Sequence, residues 1–209
     1  LHLHDAHYPL AVSLHYRVHA AVNLIERWVT LTNSGESPIA LNRAWSGQWH
    51  VPHGDRYRLT YLSGRWNDEW HIRREPLSHG VKALESRRIT TGHDHAPWFA
   101  LDRGTADETQ GEVWFGVLAW SGNFKLAAEV TPYASTRVSL GINDWDFTWA
   151  LQPGETFTTP SSFGGYTRHG FGAASRALHD HIRDTLLPHG ATEHKVLYNS
   201  WEATFFDVD

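Results

Sequence analysis

The chain has 209 residues, 41% of them hydrophobic and 20% charged, a composition that supports a sizeable buried core and excludes a disordered chain. Its formal charge of -5 is spread along the sequence without a basic stripe, which argues against nucleic acid as a partner, and no apolar run approaches the roughly 20 residues of a membrane span. With no cysteine there are no disulfides and no thiol chemistry, and a reducing, cytoplasmic setting is expected.

The elements read mostly as strands. Over residues 12–18, Val12, Leu14, Tyr16 and Val18 alternate with Ser13, His15 and Arg17, the period of a half-buried strand. A second strand is expected over residues 23–32, with Ile25, Val29 and Leu31 on one face, ended by the turn residues Asn33, Ser34 and Gly35 and paired antiparallel with the first. Tyr57, Leu59 and Tyr61 mark another strand, which Ser63 and Gly64 are expected to break, leaving Trp66 on a loop or strand end. Residues 112–120 and 124–131 read as a hairpin around Ser121, Gly122 and Asn123, with Phe124, Leu126, Ala128 and Val130 on one side. Further strands are expected over residues 136–142, 147–151 and 156–159, the last two flanking a Pro153-Gly154 turn. Roughly nine to twelve strands at this turn spacing point to a sandwich.

The period then changes. Ala174, Leu178, Ile182 and Leu186 recur every four residues, which predicts a helix over residues 171–187, stopped by Pro188. Residues 189–195 read as a linker, and Val196, Leu197 and Tyr198 as the start of a new strand. The expected organisation is a sandwich over residues 1–169, a helix and linker over 170–195, and the start of another domain from 196 to 209. The chain opens on Leu1, so its natural start and any signal peptide are expected to lie upstream.

The 16 His and 11 Trp stand out. Indoles stack on the apolar faces of sugars, although aromatic residues also fill sheet cores. His2, His4 and His7 with Asp5 lack the convergent third and fourth ligands of a closed metal site, and His93, Asp94 and His95 read as a hydrogen-bonded loop ahead of a strand at Trp98. Neither a metal nor a cofactor is expected. Glycoside hydrolysis requires paired carboxylates. Asp144 with Asp146 sits in a turn-rich stretch that suits backbone capping, and Glu202 with Asp207 and Asp209 sits at what reads as a barrel-type strand end. There is no Gly-x-Ser-x-Gly elbow and no phosphate loop. These residues alone leave open a carbohydrate-binding module or a metal-dependent β-sandwich or barrel enzyme using His93 and His95.

Residues 196–207, V-L-Y-N-S-W-E-A-T-F-F-D, resemble the strand that opens the catalytic barrel of α-galactosidases of glycoside hydrolase family thirty-six, with Phe205 where members carry Tyr. L-S-G-R-W at 62–66, L-E-S-R-R at 84–88, H-D-H-A-P at 93–97, S-G-N-F at 121–124 and T-R-V-S-L-G-I-N at 136–143 resemble the same family's upstream domain, in order. The resemblance implies an antiparallel β-supersandwich, a linker helix and the first strand of a (β/α)8 barrel. It implies release of terminal α-linked galactose from raffinose and melibiose, with retention through a covalent galactosyl-enzyme, by aspartates on later barrel strands, so that no catalytic residue falls in this chain. It also implies that Trp201, with Glu202 and Phe205 beside it, walls the galactose pocket, and that Trp66 with Arg65 forms a lid over substrate, in tetrameric members that of a neighbouring subunit.

Overall fold

The computed structural model describes residues 1–188, 192–193 and 195–208. Alternating side chains and turn residues divide it into strands β1 (His2–His4), β2 (Leu10–His19), β3 (Leu24–Asn33), β4 (Ile39–Leu41), β5 (Trp45–His50), β6 (Arg58–Arg65), β7 (Asp68–Pro76) and β8 (Gly80–Glu85). These are followed by β9 (Trp98–Asp102), β10 (Val113–Leu118), β11 (Phe124–Val130), β12 (Thr136–Ile142), β13 (Trp149–Leu151), β14 (Thr156–Thr158) and β15 (Ser162–Thr167). Helix α1 (Gly170–His181) runs on into a π-type extension, Ile182–Leu186, and α2 (Trp201–Thr204) is a single turn.

A nine-stranded sheet has the order β1-β2-β3-β15-β10-β9-β6-β7, with β14 also paired to β3. A four-stranded sheet, β5-β12-β11-β8, packs on one of its faces, and β13 pairs with β4 alone. All the strand pairings are antiparallel, including the expected β2–β3 pair. Between the two large sheets lie Tyr57, Leu59, Leu84, Phe99, Leu101, Leu118, Phe124, Leu126, Val138 and Leu140, all buried. A second core, with Leu24, Ala100, Val113 and Phe115, is roofed by Phe171, Ala174 and Leu178 of α1. The central sheet is therefore covered on both faces, which explains the unbroken apolar run of β9, where Phe99 and Leu101 enter one core and Ala100 the other.

The fold is mainly β, as the pattern predicted, with several corrections. Residues 112–131 do not form a hairpin. β10 lies in the nine-stranded sheet between β15 and β9, and β11 in the four-stranded sheet between β12 and β8. Leu118, Phe124 and Leu126 all enter the same core, so residues 121–123 carry the chain from one layer across to the other. Ser63 and Gly64 do not end β6; they form an irregularity inside it, and the strand turns at Trp66 directly into β7. β7 has almost no buried side chain and so carries no alternating signal. In β3 the expected apolar face is split: Val29 is buried, but Ile25 is exposed and Leu24 and Glu26 are buried instead, because α1 covers the opposite face there. Residues 196–198, expected to start a barrel strand, pair with no strand among the described residues, and Trp201–Thr204 turns helical. Part of the 189–195 linker, and Asp209, lie outside the described residues.

Candidate functional site

Arg65 and Trp66 stand at the tip of the β6–β7 hairpin. Arg65 faces Asp68 across a two-residue turn in which Asn67 takes the left-handed conformation (φ 61°). Ser63 pairs with His71, so β7 carries an extra residue against β6, and Trp70 (φ 65°) absorbs the bulge. Asp68 accepts a hydrogen bond from His71 Nε2 and lies 3.4 Å from Arg65 Nε. The His71 contact holds the Asp68 carboxyl below the usual carboxylate range. Glu69 Oε1 accepts from the Asn67 amide at 2.8 Å and so holds the turn, and Trp66 is 80% exposed and Trp70 56% exposed, two flat apolar surfaces beside a cluster of charge. The family resemblance pointed to Arg65 and Trp66 but not to Asp68, Trp70 and His71, whose only signal in the sequence was their place just past the turn.

Next to the tip, β6 is braced by the His93-Asp94-His95 loop, as the hydrogen-bonded-loop reading predicted. Gly64 N donates to Asp94 O at 3.3 Å, Ala96 N to Leu62 O at 3.2 Å, and the His95 ring lies 6.2 Å from that of Tyr61. Arg88 Nε donates to Asp94 Oδ2 at 2.7 Å. His95 Nδ1 lies 3.3 Å from Glu85 O, so this imidazole serves a main-chain group. At the opposite edge, His2 Nδ1 meets Ser13 Oγ at 2.7 Å and Asp5 accepts from the His7 and Tyr8 amides.

Asp144 is a structural carboxylate. Lys125 Nζ donates to Oδ1 at 2.7 Å and Arg43 Nε to Oδ2 at 2.8 Å. Burial pushes its pKa up, but these two cations outweigh it and hold the group below its ordinary range. Asp146 occupies a left-handed turn (φ 55°), and the backbone cap in this stretch comes from Asn143, whose Oδ1 accepts from the Trp145 amide at 2.9 Å.

Trp201, Glu202 and Phe205 are collected on one turn. Asn199 Oδ1 accepts from the Trp201 amide at 3.0 Å, and Phe205 (φ 49°) folds its ring edge-on to the indole at 5.7 Å, with Phe206 at 5.0 Å on another edge. Trp201 is 45% exposed, and Glu202 and Asp207 are exposed. Among the described residues no hydrogen bond, ion pair or ring contact joins this turn to Arg65 and Trp66. The five candidates therefore form two separate aromatic surfaces.

Residues 1–152 match the family model described as the glycosyl hydrolase family 36 N-terminal domain. Over 210 residues the chain is 42% identical to α-galactosidase AgaA of Geobacillus stearothermophilus, covering 99% of this chain and 28% of that protein. It is 32% identical over 211 residues to α-galactosidase 2 of Hypocrea jecorina, covering 100% of this chain and 28% of that one. A doubly substituted form of AgaA, solved in complex with raffinose, superposes with a TM-score of 0.94 at 40% identity, over 99% of this chain and 29% of that structure. The chain thus spans less than a third of the length of these relatives.

Proposed function

Because the chain belongs to the glycosyl hydrolase family 36 N-terminal domain family, we propose that it is the non-catalytic β-sandwich portion of a retaining α-galactosidase that removes terminal α-linked galactose from oligosaccharides such as raffinose and melibiose. The observation that carries this is end-to-end similarity to AgaA, 42% identity over 99% of the chain. In this reading residues 1–169 are the sandwich, 170–195 the helix and linker, and the segment from 196 opens the catalytic barrel.

The sandwich contributes positioning and exclusion of water. Trp66 and Arg65 act as a lid at the end of a stiff hairpin, reaching the galactoside in a neighbouring subunit of a cytoplasmic tetramer. Trp201 forms a wall of the galactose pocket at the end of the first barrel strand, where barrel active sites gather, with Glu202 and Phe205 beside it. Phe205 makes that wall apolar. The carboxyl pair that breaks the glycosidic bond comes from the barrel, and the indoles hold the bond against it.

The test compares hydrolysis of an aryl α-galactoside by the whole protein and by residues 1–209. Activity in the whole protein alone is expected. Activity in residues 1–209 would reassign catalysis to this chain's own carboxylates, and silence from both would remove the α-galactosidase reading and leave a binding role.

A further inference from the structure

Helix α1 faces the nine-stranded sheet with Phe171, Ala174 and Leu178, and the next place on that buried stripe is taken by His181. Periodicity alone assigns the place to Ile182, yet Ile182 is 41% exposed and His181 only 2%. An ionisable ring therefore stands where an apolar side chain would pack. It lies between the rings of His19, at 4.4 Å, and Phe163, at 4.9 Å, and neither of its nitrogens has a hydrogen-bond partner among the described residues. Directly after it the helix widens into the π-type extension Ile182–Leu186, a form frequent at functional sites.

The charged groups around His181 leave it no counter-ion in contact. Glu26 on β3 would attract a proton on the ring, but both its oxygens are engaged: Oε1 accepts from Ser161 Oγ at 2.7 Å, and Oε2 meets Arg17 Nη1 and His19 Nε2, each at 3.1 Å. His19, at the end of β2, repels a second positive charge, and β15 presents only the Phe163 ring. On the helix itself Asp180 is paired with Arg183 at 2.8 Å, while His179 lines the adjoining cleft with Arg74 of β7 and Glu108. Burial and His19 outweigh Glu26 and hold the His181 pKa below its ordinary value, so the ring is uncharged at neutral pH. Once protonated it is a buried charge without a partner, which a protein interior relieves by moving the group into water. We propose that His181 is an acid-sensitive clasp: uncharged, it pins the end of α1 to the sheet, and on taking up a proton it releases that end and the extension while the two-sheet core stays folded. A freed ring titrates near 6.5 and the buried one lower, so the clasp is closed above 6.5 and opens as the pH falls below it. The same run carries the chain off the sandwich, so its release frees the residues that follow. The clasp is formed within this chain and works in the same way whatever the whole protein hydrolyses.

Hydrogen–deuterium exchange of the whole protein tests this, read on peptides from residues 170–187 and, as a reference, from residues 124–142 of the two-sheet core. Exchange at pH 7.5 and pH 5.5 is compared as protection factors, which divide out the pH dependence of intrinsic exchange. One unit below 6.5 a freed imidazole favours its protonated form about tenfold, so protection at the end of α1 is expected to fall by about five- to tenfold, with β11 and β12 keeping theirs. His181→Leu and His181→Gln are neutral at both pH values and are expected to abolish the difference. The glutamine variant decides the matter if leucine repacks the slot. Unchanged wild-type protection would overturn the clasp. So would an equal fall over residues 124–142, which would mean general loosening, or a fall of wild-type size in the variants, which would place the titrating group elsewhere.

Discussion

Gly64 lies so close to Asp68 that a Cβ on it would stand 2.5 Å from the Asp68 carbonyl oxygen and 2.7 Å from the Glu69 Cα. The obstacle is backbone and cannot swing aside, so the glycine is what lets β6 and β7 close at the tip. Gly64→Ala in the whole enzyme is expected to cost about 1–3 kcal/mol, the range for overpacking, and to displace Trp66. Thermal melts and aryl-galactoside kinetics together check this: a variant with wild-type Tm and wild-type kcat/KM would show that the tip tolerates opening.

Trp66→Ala removes an indole that is 80% exposed, so its effect on stability is expected to stay within about 0.5 kcal/mol. If the indole stacks on substrate, kcat/KM falls by up to about tenfold, the equivalent of the roughly 0.5–1.5 kcal/mol of an aromatic contact. An unchanged kcat/KM would sink the lid role.

Trp201→Ala is expected to lower kcat/KM further, because a pocket wall meets every substrate and a lid only the closed state. Galactose binding by calorimetry is the direct measurement, and undiminished binding would return Trp201 to packing against Phe205 and Phe206.

Asp144 is held by Lys125 and Arg43, and its pKa is lowered. A carboxylate with a depressed folded pKa contributes stability that is present above its unfolded value of 3.8 and lost as pH falls through the folded one. Asp144→Asn is expected to cost about 2 kcal/mol at neutral pH, the scale of a hydrogen bond to a charged group, and little in acid. A destabilisation constant from pH 7 to pH 3 would contradict this.

His181 acts in the same direction at higher pH. Its pKa is lowered from 6.5, so the unfolded chain binds the proton first, and stability is full above 6.5 and declines as pH drops from there towards the folded value. His181→Leu is expected to flatten that slope between pH 7 and pH 5. Parallel slopes for variant and wild type would place the acid sensitivity elsewhere.

Much of this was legible in the sequence, and the failures share a cause. Alternation located the strands because one-sided burial is written into neighbouring residues: Phe124, Leu126, Ala128 and Val130 are all buried as expected. Partner choice is not local, and β10 and β11 were matched to each other because only a short turn separates them, although each finds its neighbours in a different sheet. β7 escaped notice because an exposed edge strand alternates nothing. At the site, the turn at Trp66 was readable from Ser63 and Gly64, whereas the packing of Trp201 on Phe205 and Phe206 arises only once the backbone folds back at Phe205 (φ 49°).

β3 carries a final consequence. Along one edge it pairs with β2, and along the other it is shared by β15, at Leu24 to Arg27, and β14, at Thr30 to Thr32. Between those two contacts the Val29 amide donates to Thr159 Oγ1, 130 residues further along. During synthesis, β2 and β3 leave the ribosome early with that second edge bare, and it stays bare until the chain has been made past residue 167. A nascent chain stalled before that point presents an open strand to any other strand nearby, so early termination is expected to yield aggregates, with folding completing only after nearly the whole sandwich has been translated.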